Sequence, residues 1–415
     1  MDRISTNLPN DSMQFYMRER TRLMQEMQSR IAGQSRILNL RDDPIAAAHS
    51  TRYQSYQVRL ERFSDNIETV MDRNSVVEGY VYQTNEILQR ARELAVQGAN
   101  GTYAPEDLQM MAAEIDQMLE QVVELANARG ADGMTIFAGD RSEQTPFRAV
   151  YGIRADGERS MITEVQYRGT INPQQAEVAE NSFIQTNFPG NQVFWAENQR
   201  VQSMTDGRDY QVDRNGSFFV DGVEVPVSEG DTLYSVIAKI NESGAAVRAS
   251  VDPVHSGLVL ESTTPHQIWL QDGENSTVLQ DLGLLVSGEA PPPQNLDSTV
   301  QVTGGSLFDT LITLRDQMNA GDQEAMGSRG ILGIDRALDT ISATLGRLGA
   351  VNSRLEGSLR RTEMEIPEIA GQNSRLVDVD MAEAIMELRL LETTHRAALG
   401  AAARTLQPTL LDFLR

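Results

Sequence analysis

The sequence predicts a mainly α-helical protein with an α+β insert. Both halves of the chain are expected to form a long antiparallel coiled-coil bundle, with a mostly antiparallel β-rich domain inserted between them. Heptad-spaced apolar residues occur in the first and last parts of the chain, whereas Gly, Asn, Asp and β-branched residues dominate from about residue 145 to 300. A chain of 415 residues exceeds what one hydrophobic core usually serves, so two or three domains are expected.

The first heptad repeat starts at Tyr53 and ends at Ala95. Its positions, spaced alternately three and four apart, are apolar except for Asn74 and Thr84: Tyr53, Tyr56, Leu60, Phe63, Ile67, Val70, Asn74, Val77, Val81, Thr84, Leu88, Ala91 and Ala95. A 3.5-residue period held this long predicts a long helix supercoiled against a partner. The stretch "GANGTYAPEDLQ" ends it, and a second helix follows with Leu108, Met111, Ile115, Met118, Val122 and Leu125 on one stripe.

The same pattern returns near the end of the chain. It consists of Ile334, Leu338, Ile341, Leu345, Leu348, Asn352, Leu355, Leu359, Thr362, Ile366 and Ile369. Each narrow apolar seam needs a partner helix, and the two repeats are the obvious partners for one another. "GSRGILGID", with its three glycines, is interpreted as a flexible entry to the long helix that starts near Ile334.

The middle of the chain carries short β signals. "GSFFVDGVEVPV" predicts a hairpin that turns at Asp221-Gly222, and "AAVRASVD" and "GLVLEST" predict further strands. "EGDTLYSVIAKINESG" predicts a short helix capped by Asp231 or Thr232 and ended by Gly244. "GEAPPPQNLD" is the linker back to the helices. The predicted division is 1–43, 44–147 with a β-hairpin near 130–147, 148–300, 301–376 and 377–415.

Both ends of the chain are amphipathic. The apolar residues chosen as a candidate interface are Met17, Met24, Met27 and Ile31 near the start, and Met381, Ile385, Leu388, Leu391, Leu399 and Leu406 near the end. The two segments either pair with each other as an ordinary helical hairpin or bury these stripes against other molecules. An isolated pair of helices makes only a thin core, and the spacing alone leaves both alternatives open.

Composition excludes several kinds of protein. A net charge of −23 argues against nucleic-acid or anionic-membrane partners, which need a positive surface. The absence of cysteine excludes disulfides, thiolate metal sites and cysteine nucleophiles. The polar start lacks a signal-peptide core, and no apolar run is long enough for a membrane span. The sequence therefore predicts a cytosolic protein, unless the chain leaves by a route that reads no cleavable signal.

No pattern of residues indicates catalysis, a metal site or a cofactor. The four histidines show no helical i, i+4 pair, and His395 is interpreted as a packed or interface residue of the C-terminal stripe. Asp252, His255 and Ser256 lack the context of a nucleophile elbow. The glycines at 327, 330 and 333 follow no strand and no lysine accompanies them, so they predict no nucleotide loop.

The stretch "LRDDPIAAAHS" marks the start of the first long helix. Asp43 is the expected N-cap and Pro44 the first helical residue, where the missing N–H costs nothing. Asp42 adds negative charge near the positive helix end. These three residues are predicted to form a helix cap and hinge between the terminal segment and the rod. Too few oxygen donors are near for a calcium site.

The same stretch resembles the flagellin superfamily, together with "RISTN" at 3–7, "GADGMTIFAGDRSEQTPF" at 130–147 and the C-terminus from "SRLVDVD" to "LLDFLR". "DTLYSVIAKINESGAAVRASVD" with "VLQDLGLL" resembles a small β-rich motif inserted in several flagellar axial proteins. Asp-Asp-Pro and the "IFAG…TPF" stretch resemble the members that join hook to filament, because flagellins usually carry Asp-Asp-Ala.

The resemblance implies a structural component of the flagellum, secreted unfolded through the flagellar type III system. The terminal helices, roughly 1–43 and 377–415, would pair and bury their stripes against neighbouring subunits of a ring. Implied partners are further copies of the chain, the first junction protein on the hook side, flagellin or another axial protein on the filament side, and an export chaperone on the C-terminal helix. Neither nucleic acid nor a membrane span is implied, and the flagellum can be external or periplasmic.

The sequence leaves three alternatives open. The nearest is a flagellin, the bulk filament subunit. The second is a secreted enzyme carried on flagellin-like termini, and the third is a coiled-coil receptor or adhesin. The enzyme would need a cleft with convergent acid, base or metal groups in the insert, and the receptor would need a membrane span.

Overall fold

The computed structural model describes residues 8–101, 103–130, 133–141, 143–153, 160–286 and 290–405. The helices are α1 (Leu8–Gly33), α2 (Pro44–Ala99), α3 (Pro105–Ala126), α4 (Gly190–Val193), α5 (Leu233–Glu242), α6 (Val278–Asp281), α7 (Leu307–Ala320), α8 (Gln323–Ala325), α9 (Ile331–Val377) and α10 (Met381–Thr405). A π-helical turn, Met326–Gly330, lies between α8 and α9.

The strands lie between α3 and α7. They are β1 (Phe147–Ile153), β2 (Ser160–Tyr167), β3 (Gln175–Ala179), β4 (Ser182–Gln185), β5 (Arg200–Gln202), β6 (Gly216–Val220), β7 (Val223–Val227), β8 (Val247–Val251), β9 (Leu258–Ser262), β10 (Leu270–Asp272) and β11 (Gln301–Thr303). All of their pairings are antiparallel, in the orders β1-β2, β3-β4, β10-β6-β7 and β11-β5-β9-β8. The predicted fold class, helical with an antiparallel β-rich insert, is confirmed.

The chain forms two compact units. The described residues up to 65 and those from 359 onward make one, which we call the terminal unit. Residues 66–358 make the other, the central unit. The five-part division predicted from composition stays a prediction.

In the central unit, α2 and α9 pair in an antiparallel direction. Asn74 meets Asn352, and Arg92, further along α2, forms an ion pair of 2.6 Å with Asp335, which lies earlier on α9. Seam residues such as Val81, Leu88, Ile334 and Ile341 are fully buried. The heptad seams therefore pack as their spacing predicts.

An aromatic cluster joins the helices of the central unit to β1 and β2. The rings of Phe137, Phe147, Phe194 and Phe308 contact one another, mostly edge-on or tilted, with centroids 4.9 to 5.7 Å apart. The Tyr167 hydroxyl donates to the Phe137 carbonyl at 3.0 Å. In the stretch from 130 to 147, the described residues form a bridge between Arg129 and Thr135 and then turns, before the regular ladder starts at Phe147.

The insert has its own core and follows the local sequence signals. The β6–β7 hairpin turns at Asp221 and Gly222, whose φ angles of 49° and 77° fit the type I′ turn that Asp-Gly favours. Thr232 is the N-cap of α5, and Gly244 follows its end with φ of 83°. Asp231, the other candidate cap, instead accepts from Lys239 and from the Ser228 N–H.

The entry to α9 is helical rather than a flexible segment. The glycines of "GSRG" lie in the π-helical turn, and α9 begins directly after it at Ile331, three residues before the predicted start. Met326 and Gly330 are buried, so the turn is anchored on the core. The glycines suggested flexibility because glycine content gives no information about burial against the core.

Candidate functional site

The two terminal helices pack against each other in the terminal unit. The Arg20 guanidinium on α1 donates to the Thr394 carbonyl on α10 at 2.7 Å. The segments that follow α1 and precede α10 also pair, because Arg36 N–H donates to the Val377 carbonyl at 2.7 Å and Ser35 bridges Asp378. The helical hairpin considered from the sequence therefore exists.

The candidate interface residues of α1 lie on the side that is partly covered. Met27 is buried, and Met17, Met24 and Ile31 are half-buried. On α10, Leu388 and Leu391 are likewise half-buried, and Ala384 between the chosen positions is buried. Six of the chosen residues thus lie on covered or half-covered faces of their own chain.

Other chosen residues remain exposed. Met381, Ile385 and Leu399 expose between 38% and 47% of their surface, while Leu406 lies outside the described residues. That these residues form an interface between molecules therefore stays a prediction. Some of them are exposed, and others are half-buried within their own chain. His395 is half-buried, and its Nδ1 has no hydrogen-bond partner among the described residues.

Among the described large apolar side chains of these two helices, the four most exposed are not in the predicted interface. Phe15 and Tyr16 on α1 expose 65% and 66%, and Met386 and Leu390 on α10 expose 65% and 62%. The signal was in the apolar doublets Phe15-Tyr16, Ile385-Met386 and Leu390-Leu391. Neighbouring residues on a helix point about 100° apart, so each doublet widens the apolar arc beyond what one partner helix covers.

The start of α2 has the predicted cap geometry. Asp43 Oδ1 accepts from the Ala46 N–H at 3.0 Å, and α2 begins at Pro44. That hydrogen bond lowers the pKa of the Asp43 carboxyl. Asp42 serves the preceding turn, because its Oδ2 accepts from the N–H groups of Leu38 and Asn39 at 3.1 and 3.0 Å. The hydrogen bond from Asn39 lowers the pKa of Asp42 in the same way. A hinge at these residues stays a prediction.

Asp252, His255 and Ser256 do not form a catalytic triad. His255 Nδ1 lies 2.9 Å from Asp252, but the Ser256 hydroxyl accepts from Arg208 Nε at 2.7 Å. Across the described ranges there is no group of three or more His, Asp or Glu side chains placed to hold a metal ion. Within the same ranges, no helix combines the length and apolar character needed to cross a membrane.

Paired terminal helices with exposed apolar faces, together with long heptad helices and a β-rich insert, define a class of helical structural proteins built from both chain ends. Family models agree with this layout. The bacterial flagellin N-terminal helical region matches residues 4–142, the flagellin hook IN motif matches 210–264, and the bacterial flagellin C-terminal helical region matches 331–414. Together they cover more than half of the chain, and the chain belongs to the flagellin superfamily.

Individual relatives differ in how much of the chain they match. The chain is 29% identical over 136 residues to flagellar hook-associated protein 3 of Salmonella typhimurium, which is 33% of this chain and 43% of that protein. The alignment thus spans less than half of that relative. Flagellin A of Vibrio anguillarum is 21% identical over 405 residues, covering 97% of this chain and 96% of that protein.

A solved structure is similar as well. The crystal structure of flagellar hook associated protein-3 from Legionella pneumophila aligns with a TM-score of 0.47 at 18% identity. The alignment covers 79% of this chain and 98% of that one.

Proposed function

We propose that this protein is a structural component of the bacterial flagellum that forms the junction ring between hook and filament. The observation that carries the proposal is the exposed apolar surface of α1 and α10. Phe15, Tyr16, Met386 and Leu390 remain exposed although the two helices already cover one face of each other. Large apolar side chains that stay this exposed on paired helices are better explained by burial against a further molecule than by contact with solvent.

The partners of this surface follow from the proposed location. Copies of the same chain complete the ring, the first junction protein lies on the hook side, and flagellin or another axial protein lies on the filament side. A flagellar export chaperone covers the C-terminal helix in the cytosol, because its apolar face needs protection before assembly. The chain then reaches the flagellum through the type III export apparatus.

The protein acts through assembly and not through catalysis. The histidine, aspartate and serine of the insert that come closest to a triad are held in a turn, with the serine hydroxyl bonded to Arg208. This arrangement supports a structural role because a nucleophile needs its base within hydrogen-bond reach.

Flagellin is the second candidate function. The alignment with Flagellin A along 97% of the chain favours it, since a bulk filament subunit has the same two-ended layout. The Asp42-Asp43-Pro44 stretch and the residues from 136 to 147 favour the junction protein, because they resemble the members that join hook to filament.

Immunogold electron microscopy of isolated flagella tests the proposal. The antibody is raised against residues 150–300, and flagella from cells lacking the gene are the control. We expect a single band of gold where hook meets filament. Label along the whole filament would indicate that the protein is a flagellin and not a junction protein. Flagella without any label would refute both functions.

A further inference from the structure

A basic face runs along the start of α2 in the terminal unit. Arg52, Arg59 and Arg62 are spaced by seven and three residues, so they lie on the same side of the helix. All three are exposed and line an open groove with Ser55 and the exposed Val58. The groove also contains Thr51, Gln54 and Ile369.

These arginines have no carboxylate partner in the part of the chain that the structure describes. Arg59 only stacks over the Tyr56 ring, at 5.4 Å from the centroid. By contrast, Arg22 and Arg30 of the same unit form ion pairs with glutamates on their own helix. The row of three guanidinium groups concentrates positive charge on one helix face of a chain whose net charge is −23. The guanidinium group of arginine pairs well with carboxylates at interfaces. A surface that contacts these three arginines is therefore expected to be acidic.

An acidic and apolar face of matching character lies on α10. Glu383, Met386, Glu387 and Leu390 are spaced by three, one and three residues and therefore share one side of the helix. Met386 and Leu390 are largely exposed. Neither glutamate side chain forms a salt bridge to another residue of the described ranges.

We propose that the basic groove on α2 of one copy receives the Glu383–Leu390 face of α10 of a neighbouring copy. The inference rests on the proposed ring assembly and names its contacting surfaces. In one chain both faces are exposed and no ion pair among the described residues joins them, so a second copy supplies the contact. The arginines bind Glu383 and Glu387, while Val58 and Ile369 pack against Met386 and Leu390.

The contact joins two different surfaces and is therefore heterologous. Each copy offers the groove to one neighbour and the α10 face to the other, which is the arrangement that builds rings or helical tubes. An isologous dimer would instead bring each surface against its own counterpart. Exposed ion pairs weaken at high salt, so the contact is expected to weaken with ionic strength.

Cysteine cross-linking tests the contact, because the chain contains no cysteine of its own. The full chain carries Ser55→Cys with Met386→Cys and is oxidised at rising protein concentration in low salt. We expect a ladder of dimers, trimers and larger species on a non-reducing gel. Each single substitution alone should remain monomeric, and the pair Ser55→Cys with Ser250→Cys gives the collision background. A ladder no stronger than that background, or dimers from a single substitution, would overturn the proposal.

Charge reversal adds a matched test on the same double-cysteine chain. Changing Arg52, Arg59 and Arg62 to Glu, or Glu383 and Glu387 to Arg, should reduce the ladder at least about tenfold, since each places like charges opposite one another. Mixing the two reversed chains should restore it, because each groove again faces an opposite charge. Arg214→Glu with Arg248→Glu changes exposed charge on the insert and should leave the ladder intact.

The outcomes separate this contact from the proposed function. A ladder that charge reversal abolishes and mixing restores establishes the contact even if gold labels the whole filament. If gold labels the junction but charge reversal does not change the ladder, the proposed function is supported and the proposed contact is refuted.

Discussion

Asn74 on α2 and Asn352 on α9 lie opposite each other inside the heptad seam, and Asn74 Nδ2 donates to Asn352 Oδ1 at 2.8 Å. Asn74 is fully buried, and its own Oδ1 has no partner among the described residues. A polar pair of this kind costs stability but fixes register, because a slip of one heptad sets each amide against an apolar side chain such as Leu345. The two asparagines therefore specify how the helices align.

Removing one member of the pair should destabilise the central unit. In Asn74→Ala the half-buried Asn352 amide loses its partner, which should cost about 0.5–1.5 kcal/mol of unfolding free energy. Asn74→Leu with Asn352→Leu should recover that stability or exceed it, since both polar groups are gone. Urea unfolding followed by circular dichroism measures both, with the exposed Ser75→Ala as control. Equal stability of the single variant and the wild type would contradict the role of the pair.

Arg315 is a buried charge of the central unit, with 1% of its surface exposed. Its Nη1 donates to Asp116 at 2.8 Å and to the Ile162 carbonyl at 2.7 Å, and its Nε donates to Asp316 at 2.9 Å. Arg315→Met leaves the carbonyl of the buried Ile162 without its donor, whereas Asp116 and Asp316 keep access to water, so the substitution should cost about 1–3 kcal/mol.

Thermal unfolding measures the loss at Arg315, and Arg92→Met is the matched control. Arg92 and its partner Asp335 are both exposed, so the substitution should change stability little. An Arg315→Met variant as stable as the control would show that the stability of the central unit does not depend on Arg315.

Gly139 should tolerate no side chain. Its φ of 71° lies in the left-handed region, and an added Cβ would overlap the Thr170 carbonyl oxygen. Gly133 has a similar φ of 75° but open space around its Cβ position. Gly133→Ala should therefore cost only the backbone strain, about 1–2 kcal/mol, and Gly139→Ala clearly more. Chemical denaturation of both variants checks the order, and equal losses would rule out the steric argument.

His266 should make stability depend on pH. Its Nδ1 lies 2.8 Å from the Thr264 carbonyl and its Nε2 lies 2.8 Å from Asp221, so both ring nitrogens face acceptors and favour the charged imidazole. Although burial lowers the pKa of His266, the hydrogen bond and charge of Asp221 raise it above its ordinary value. The stabilisation is therefore complete below the unfolded-state pKa of about 6.5 and is lost as pH rises through the folded-state pKa.

Denaturant unfolding from pH 5.5 to 9 tests this dependence. Wild-type stability should fall with rising pH, and His266→Gln should flatten the fall. His49→Gln, at an exposed position, removes a histidine without touching the insert. A His266→Gln chain with the wild-type slope would assign the pH dependence to other groups.

Local patterns were enough to predict much of this fold. The spacing of apolar residues predicted the seams that pack α2 on α9, and Asp221-Gly222 and Thr232 predicted a turn and a cap that the structure contains. Such features depend on the conformational preferences of residues close in sequence, so they can be predicted without knowing which distant segments pack together. The helical entry at Met326–Gly330 was not predictable in this way, because burial of Met326 by distant residues decides it.

The candidate surface was only partly predictable for a similar reason. Helical spacing identified the stripe of Met17, Met27 and Leu388, which α1 and α10 partly cover between themselves. It did not reveal that Phe15 and Leu390 remain exposed, because exposure depends on which face the partner helix takes.

The sequence by itself determined the helical class, the two seams, the β-rich insert and the resemblance of both ends to the flagellin superfamily. Only the tertiary structure decided that Asn74 meets Asn352, that Arg315 is buried with Asp116, and which apolar residues stay exposed. Periodicity is a property of neighbouring residues along the chain. Register and exposure arise when segments far apart in the chain pack together, as Asn74 and Asn352 do across 278 residues.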